Sequence, residues 1–143
     1  MTSTSGVRDA KRLPAALENL WDRVVSRELS GADGPGVVYA YRNHGLWKAG
    51  RTRNIQRRLR EWAQDCPSSN REWVGWRATP YVNQTEYLLH LALETVCLSR
   101  PRFQCNCGKT HLELFELGDD SEMAEDLILE VMEMVVVFVL AKY

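Results

Sequence analysis

A β-hairpin predicted over residues 37–50 limits the possible folds of this chain more than any other segment. Val37–Arg42 alternates in a period of two, Asn43-His44-Gly45 is typical of a tight turn, and Leu46–Gly50 predicts the returning strand. The period is that of a β-strand, and Asn and Gly suit the positive backbone φ angles that short hairpin turns require. The predicted strand places Val37, Tyr39 and Tyr41 on one face and Val38, Ala40 and Arg42 on the other.

Positive charge is concentrated around this hairpin and just after it. Seven basic side chains lie within nineteen residues, and the first acidic residue after them is Glu61. The net charge of −1 hides this concentration, because nine acidic residues and no basic ones lie between Leu112 and Ala141. Segregated charge predicts an anionic partner such as a phosphate backbone, although the acidic end could equally serve a basic protein partner. The basic residues are Arg42, Lys48, Arg51, Arg53, Arg57, Arg58 and Arg60.

Arg58 has a special position in the helix predicted after the hairpin. Ile55, Leu59 and Trp62 have the spacing of one helical face and predict a buried stripe. Arg58 lies at the margin of that stripe, where its stem packs while its charged head reaches a cleft. Its planar guanidinium suits phosphate oxygens. The other predicted nucleic-acid-binding residues, which could also form an ordinary solvated face, are Arg42, Arg51, Arg53, Arg57 and Arg60.

The remaining patterns predict one α/β (α+β) domain, which 143 residues are enough to build. We expect a small, mainly antiparallel three-stranded sheet flanked by helices, with additional helices at both ends. An N-terminal helix and linker would occupy residues 1–35, a central domain residues 36–117, and a C-terminal helix packed on that domain residues 118–143. The predicted elements outside the hairpin region are helix Leu13–Leu29, strand Trp73–Thr79, helix Asn83–Val96, strand His111–Leu117 and helix Ser121–Ala141.

The apolar segments predict a soluble intracellular protein, nuclear or cytoplasmic, with no membrane partner. The N-terminal residues lack the apolar core of a secretory signal. The longest unbroken apolar run, Met134–Ala141, is far shorter than the ~20 residues that a membrane span needs. We expect the apolar end of the last helix to be buried or to form a homodimer contact.

A cysteine and histidine cluster has the ligand types of a tetrahedral zinc site. It comprises Cys97, Cys105, Cys107 and His111, but its spacing lacks a CxxC pair. Cysteines in an intracellular protein are thiols or metal ligands more often than disulfides. Two interpretations therefore remain: a structural zinc site, or reduced and partly buried thiols with His111 bonded to the backbone.

The order of these motifs resembles the GIY-YIG endonuclease superfamily. Val37-Val38-Tyr39 resembles its first tyrosine-bearing triplet, and Lys48-Ala49-Gly50 occupies the place of the second. Arg58 matches the helix arginine of the family, and Glu86 stands where its metal-binding glutamate is expected. Within the superfamily the chain is similar to a phage-type DNA-binding branch shared with a fungal meiotically up-regulated gene family. The similarity covers about Gly36 to Leu117.

This resemblance implies that Tyr39, Lys48, Arg58 and Glu86 are catalytic residues. In the superfamily, two tyrosines surround an attacking water, an arginine steadies the phosphate, and a glutamate holds one divalent ion, usually magnesium or manganese. Here Lys48 replaces the second tyrosine, and lysine stabilises negative charge but is a poor base. The candidate functions are therefore metal-dependent DNA hydrolysis, nucleic-acid binding without cleavage, with DNA favoured over RNA, and protein interaction on a degenerate nuclease scaffold.

Several of these residues also have structural interpretations. Tyr39 could be an ordinary strand aromatic, and Tyr41 on the same face could exchange roles with it. Glu86 lies three residues after Asn83, so it could instead be the return arm of a capping box. His90, one turn beyond Glu86, could join a metal site or could be a hydrogen-bonded helix histidine.

Overall fold

The central sheet is built around the hairpin of strands β1 (Gly36–Asn43) and β2 (Leu46–Thr52). The structure is a computed structural model that describes residues 11–65, 72–101, 103–104, 110–111 and 114–143. The turn residues His44 and Gly45 both have positive φ, at 54° and 76°, as a two-residue hairpin turn requires. The predicted hairpin is confirmed.

The described residues form an α+β fold with two antiparallel sheets, so the predicted class is confirmed. The central sheet has four strands rather than the predicted three, in the order β3–β1–β2–β6. The single strand predicted over His111–Leu117 is wrong, because its two ends belong to different sheets. The remaining strands are β3 (Glu72–Thr79), β4 (Phe103–Gln104), β5 (Thr110–His111), which pairs with β4, and β6 (Leu114–Phe115), which pairs with β2.

The two faces of the central sheet are covered unequally. One face carries the main apolar core, where Val38, Ala40 and Ala49 are fully buried against helices. The opposite face carries a small cluster of Tyr39, Tyr41 and the partly buried Ile55. The helices are α1 (Pro14–Ser26), α2 (Ile55–Asp65), α3 (Val82–Val96) and α4 (Ser121–Lys142), and α1, α3 and α4 contribute to the main core whereas α2 lies at the tyrosine cluster.

Helix α2 buries only part of its predicted apolar stripe. Ile55, predicted to be part of a buried stripe, is partly buried and packs against the two tyrosines. The side chain of Trp62, the third residue of that stripe, lies outside the described residues. Leu59, predicted to be buried, is 39% exposed. On the tyrosine face of the sheet, which carries Tyr39 and Tyr41, both rings are nevertheless almost fully buried.

A bulge in β3 decides which of its side chains share this tyrosine face. Ala40 pairs with Gly75 but Tyr41 pairs with Trp73, so β3 contains one extra residue between these pairs. Directly opposed residues in an antiparallel pair point to the same side of the sheet, and an extra residue shifts the alternation by one. Trp73 and Trp76 are three positions apart, yet both lie opposite tyrosines of β1.

The segment between α1 and β1 caps helix α3. Asp33 accepts hydrogen bonds at 2.9 Å from the backbone nitrogens of both Asn83 and Gln84, and Val82 donates to the carbonyl of Gly34 at 2.8 Å. Gly36 allows this contact, because a Cβ there would lie 2.8 Å from the Val82 side chain. The predicted linker is thus attached to the domain at the start of α3.

A buried carboxylate attaches the N-terminal segment to the other end of α3. Glu94 has no exposed surface and accepts hydrogen bonds from Arg12 and Arg100. Burial disfavours its charge, but the hydrogen bonds from Arg12 and Arg100 lower the pKa of Glu94 below its ordinary value. This cluster was not predicted from the sequence.

The last turns of the C-terminal helix α4 are apolar on both the buried and the exposed side. Asp120 caps it by accepting from the backbone nitrogens of Glu122 and Met123 at 3.1 Å. In its last turns, buried valines alternate with Met134, Val137 and Leu140, which are more than half exposed. The homodimer through this helix stays a prediction, as do the predicted domain boundaries. Among the described residues, no helix is long and apolar enough to cross a membrane.

Candidate nucleic-acid site

A cleft of about 280 Å³ opens between the hairpin, the start of α2 and the first turns of α3. Three of the four predicted catalytic residues, Tyr39, Arg58 and Glu86, line this cleft together. Each comes from a different element, so the tertiary fold brings together side chains that are far apart in the sequence. The other lining residues are Gly50, Arg51, Thr52, Arg53 and Val82.

Tyr39 lies at the base of the cleft and is only 1% exposed. Its ring crosses the neighbouring strand at Gly50, where an added Cβ would lie 2.4 Å from the tyrosine hydroxyl. Only glycine leaves room for this arrangement. Tyr41 stacks beside it, with ring centroids 6.5 Å apart and an angle of 16° between the planes. The position of the Tyr39 hydroxyl therefore depends on both neighbours.

We expect Gly50→Ala to displace Tyr39 and to lower the free energy of unfolding by about 1–3 kcal/mol, as overpacking in a core does. The clash involves a ring that is itself packed on all sides, so it cannot be relieved by a simple rotation. Urea unfolding measures the loss. The matched control is Gly31→Ala, because an added Cβ at Gly31 meets nothing within 4 Å. Equal stability of the two variants would contradict the packing of Tyr39 over Gly50.

Arg58 approaches the cleft from α2 with a half-buried side chain. Its Nε lies 3.4 Å from the Tyr39 hydroxyl, which accepts the hydrogen bond, and its Nη1 lies 3.7 Å from Glu61. Burial disfavours the charge, but the Tyr39 hydrogen bond and the Glu61 carboxylate raise the pKa of Arg58 above its ordinary value. As predicted, the head of Arg58 reaches a cleft, where it places a permanent cation. The stripe beside it is not buried as predicted, because Leu59 is 39% exposed.

Glu86 projects into the cleft from α3 and is held by an arginine of β2. Arg51 donates from Nε to Glu86 Oε1 at 2.9 Å and also contacts the side-chain oxygen of Asn83. The capping-box interpretation of Glu86 is not what the structure shows, because Asp33 accepts from the first-turn nitrogens of α3. The Glu86 carboxylate faces the cleft instead.

The donor atoms around Glu86 suit a hard divalent cation. Glu86 Oε1 and the side-chain oxygen of Asn83 converge on the same guanidinium, so a positive charge already occupies the place between them. Magnesium takes oxygen ligands and is commonly held by one or two carboxylates together with substrate phosphates and water. Glu86 and Asn83 therefore have the ligand types of such a site, and Arg51 holds both of them in the described fold.

A comparison with known protein families finds a match over the part of the chain that forms the cleft. The T5orf172 domain matches residues 36–136, from the start of β1 into α4. The chain belongs to the T5orf172 domain family. All eight residues that line the cleft lie inside the matched range. No curated protein and no solved structure matches the chain.

In this T5orf172 domain, Lys48 lies beside the cleft rather than in its lining. It stands opposite Tyr41 across the hairpin, so it shares the tyrosine face, and it is only 9% exposed. It is two positions along β2 from Gly50, which lies opposite Tyr39. A lysine there is close enough to add positive charge to the site, but its burial limits direct contact with a large ligand.

The structure separates the predicted nucleic-acid-binding arginines into three groups. Arg51 and Arg53 line the cleft, and Arg53 also donates to the carbonyl of Ala32 at 2.9 Å. Arg57 and Arg60 are exposed on α2. Arg42 lies elsewhere, in a second cleft that it shares with acidic side chains, so it does not extend the basic surface around Arg58. The acidic residues of that second cleft are Glu72, Glu122 and Glu125.

The predicted zinc ligands can be followed only in part. Cys105 and Cys107 lie outside the described residues, as does the side chain of His111. Cys97 is buried, and its thiol donates to the carbonyl of Glu94 at 3.2 Å. Within the described part of the chain, no group of three His, Cys, Asp or Glu side chains could hold a metal ion. The zinc site stays a prediction.

His90 has a structural role in the described fold. Its Nε2 lies 2.7 Å from the carbonyl oxygen of Ala49, which can only accept, so the histidine is the donor. The bond joins α3 to β2 at the residue that precedes Gly50. Of the interpretations considered for His90, the structure supports the hydrogen-bonded helix histidine.

Two features of the site were missed in the sequence. Asp33 caps α3 from 50 residues away, and such a long-range cap leaves no local signal. Trp76 is 52% exposed on the tyrosine face. Its strand pattern was recognised, but the bulge that decides its face was not. The sequence signal that could have indicated Trp76 was the pair of tryptophans in one predicted strand, which follows the basic segment.

Proposed function

We propose that this T5orf172 domain is a GIY-YIG-like, divalent-metal-dependent endonuclease that hydrolyses DNA phosphodiester bonds. The observation that carries the proposal is the meeting of Tyr39, Arg58 and Glu86 at one cleft. The family is associated with GIY-YIG-like and endonuclease-type domains, which supports the same assignment. The proposed nucleic-acid partner is DNA in preference to RNA.

In this proposal, Arg58 holds the phosphate. Its planar donors pair with phosphate oxygens and stabilise the negative charge that grows in the transition state. Tyr39 directs Arg58 through the hydrogen bond at 3.4 Å and presents its hydroxyl to the attacking water. Lys48 adds positive charge behind the tyrosines, in the place where the superfamily has its second tyrosine. Arg51 and Arg53 neutralise flanking phosphates.

Glu86, with Asn83 beside it, would hold a magnesium or manganese ion. Such an ion supplies charge stabilisation and lowers the pKa of a bound water. Because Arg51 now bridges the same two side chains, binding of the metal requires this guanidinium to turn toward solvent or toward a phosphate. The Arg51 side chain is 47% exposed, which leaves it room to do so.

A second candidate is a DNA-binding module that does not cleave. The observation that favours it is the Arg51–Glu86 ion pair, which neutralises the carboxylate that a metal site needs. The replacement of the second tyrosine by Lys48 points the same way. In this alternative, Arg58, Arg51 and Arg53 bind the backbone, and Glu86 only positions Arg51.

Cleavage of labelled duplex, branched and single-stranded DNA by the wild type and Glu86→Gln, in magnesium, manganese or chelator, tests the proposal. The amide keeps the shape of the side chain but lacks the negative charge, so we expect cleavage to fall at least about tenfold, the effect of losing ~1.4 kcal/mol of transition-state stabilisation. Chelator should stop cleavage by the wild type.

The matched control is Glu130→Gln, because Glu130 is an exposed glutamate on α4, away from the cleft. It should cleave like the wild type. Salt-sensitive binding without cleavage by any of these proteins would overturn the nuclease assignment and would support the DNA-binding module. Absence of both binding and cleavage would overturn both candidates and leave the protein-interaction hypothesis.

A further inference from the structure

We propose that Trp76, together with Trp73, forms a stacking surface for an unpaired nucleobase next to the phosphate at Arg58. The T5orf172 domain would then prefer DNA that offers single-stranded bases over continuous duplex. This inference rests on the proposed action on DNA at the same cleft, and it adds the class of substrate.

The first observation is the exposure of two large aromatic side chains on one strand. Trp76 is 52% exposed and Trp73 is 38% exposed. Tryptophan is usually well buried in folded domains, so an exposed pair is informative about binding. Both indoles belong to β3, an edge strand of the central sheet.

The second observation is the position of the pair relative to the cleft. Trp76 is directly opposite Tyr39, and Tyr39 is directly opposite Gly50 on the other side, so the three residues form one row across the sheet. The Trp73 ring lies 5.5 Å from the Tyr39 ring and 6.1 Å from the Tyr41 ring. Cβ atoms of opposed residues are only ~5 Å apart. The indole of Trp76 therefore begins one strand away from the tyrosine that contacts Arg58.

The third observation is the charge of the neighbouring surface. Arg51, Arg53 and Arg58 line the cleft on the other side of Tyr39. A basic groove next to exposed aromatic rings is the combination by which proteins bind single-stranded nucleic acid: cations hold the backbone and rings stack on the bases. An apolar peptide would gain nothing from the arginines, so the charge favours a nucleic acid as the occupant.

Base pairing decides which form of DNA can use this surface. In a continuous duplex each base is already stacked on its neighbours, and its face is not available to a protein side chain. A base in a single strand, a flap or a junction can stack on Trp76 while its phosphate reaches Arg58. The stacking does not depend on the identity of the base, because every base has a π-face.

Trp76 is the better of the two residues for a test. Trp73 packs on both tyrosines, so its removal would disturb Tyr39 as well. The probes are a short oligothymidylate and an abasic oligonucleotide of the same length, which has the same phosphates but no bases. Fluorescence anisotropy measures binding to the wild type, Trp76→Ala, Trp76→Phe and the control Met134→Ala, which removes an exposed apolar side chain of α4.

We expect the wild type to bind oligothymidylate more tightly than the abasic strand by roughly 5- to 150-fold, which corresponds to about 1–3 kcal/mol for one stacked base. Trp76→Ala should bind both strands with the weaker affinity, and Trp76→Phe should regain much of the preference. Met134→Ala should behave like the wild type. The same preference in Trp76→Ala as in the wild type would overturn the stacking proposal, as would equal binding of both strands by the wild type.

Arg58→Ala separates this inference from the proposed function. Loss of affinity for both strands in Arg58→Ala supports the phosphate site, whatever the result with Trp76. If Arg58→Ala binds both strands like the wild type, the proposed phosphate site is wrong. A base preference that disappears only in Trp76→Ala would then still support stacking at this face.

Discussion

Arg58→Ala should lower the rate of DNA cleavage about 10²–10³-fold, the usual loss when a preorganised donor to a developing negative charge is removed. It should also weaken binding, because the guanidinium contacts the phosphate before and during the reaction. Arg58→Lys should recover only part of both losses, since an ammonium keeps the charge but lacks the planar donor fork. Cleavage kinetics and anisotropy on the same labelled DNA measure the two effects.

The matched control for this prediction is Arg60→Ala. Arg60 carries the same charge on the same helix but is exposed to solvent and does not line the cleft. We expect Arg60→Ala to change binding modestly and mainly at low salt, as loss of one outer phosphate contact does. Equal effects of the two substitutions would mean that α2 acts only through its total charge, and the proposed role of Arg58 would be wrong.

Glu94→Ala should destabilise the fold by about 3 kcal/mol, the lower end of the cost of breaking a buried ion pair by removing one partner. The carboxylate accepts from Arg12 Nη2 at 2.8 Å and from Arg100 Nη1 at 2.7 Å. Its loss leaves Arg100 mostly buried without that acceptor, whereas the 43% exposed Arg12 can turn to water. Chemical denaturation at neutral pH measures the change.

The control for Glu94 is Glu18→Ala, which changes an exposed glutamate of α1. A surface substitution of this kind usually changes stability by less than about 0.5 kcal/mol. If Glu94→Ala is equally mild, the cluster does not hold the N-terminal segment. Because the cluster lies outside the residues that line the Arg58 cleft, DNA binding by the folded variant should change little.

The contribution of Glu94 to stability should also depend on pH. Its pKa is lowered in the folded protein, so the unfolded chain takes up the proton first as the pH falls. The stabilisation is therefore complete above the ordinary glutamate pKa of ~4.3 and is lost as the pH falls through the lower folded pKa. The difference in unfolding free energy between wild type and Glu94→Ala should be constant near neutrality and should shrink in acid.

The elements that were predicted correctly depend on signals within short stretches of the sequence. The hairpin and the helices α2, α3 and α4 were predicted because their signals are local. The hairpin has turn residues and a period of two, and the helices have a period near four. The prediction that Arg58 reaches a cleft from its helix also agrees with the structure. Leu59 was predicted to be buried and is exposed, because the period identifies a face of a helix but not how much of that face the sheet covers.

The contacts of Glu86 could not be derived from its surroundings in the sequence. A capping box was plausible from the spacing to Asn83, yet Asp33 provides the cap and Arg51 binds the carboxylate. Both partners come from segments more than 30 residues away. Competition between a local partner and a distant one is decided by which segments pack together.

By itself, the sequence determined the hairpin, the helices, the concentration of positive charge near the hairpin and the position of Arg58 on its helix. All of these depend on residues within a few turns of one another. Only the tertiary structure decided that Tyr39, Arg58 and Glu86 share a cleft and that Trp73 and Trp76 lie on the same face. The two tryptophans share a face for a physical reason. One extra residue in β3 shifts the alternation of side chains, and pairing with β1 decides where that residue is accommodated.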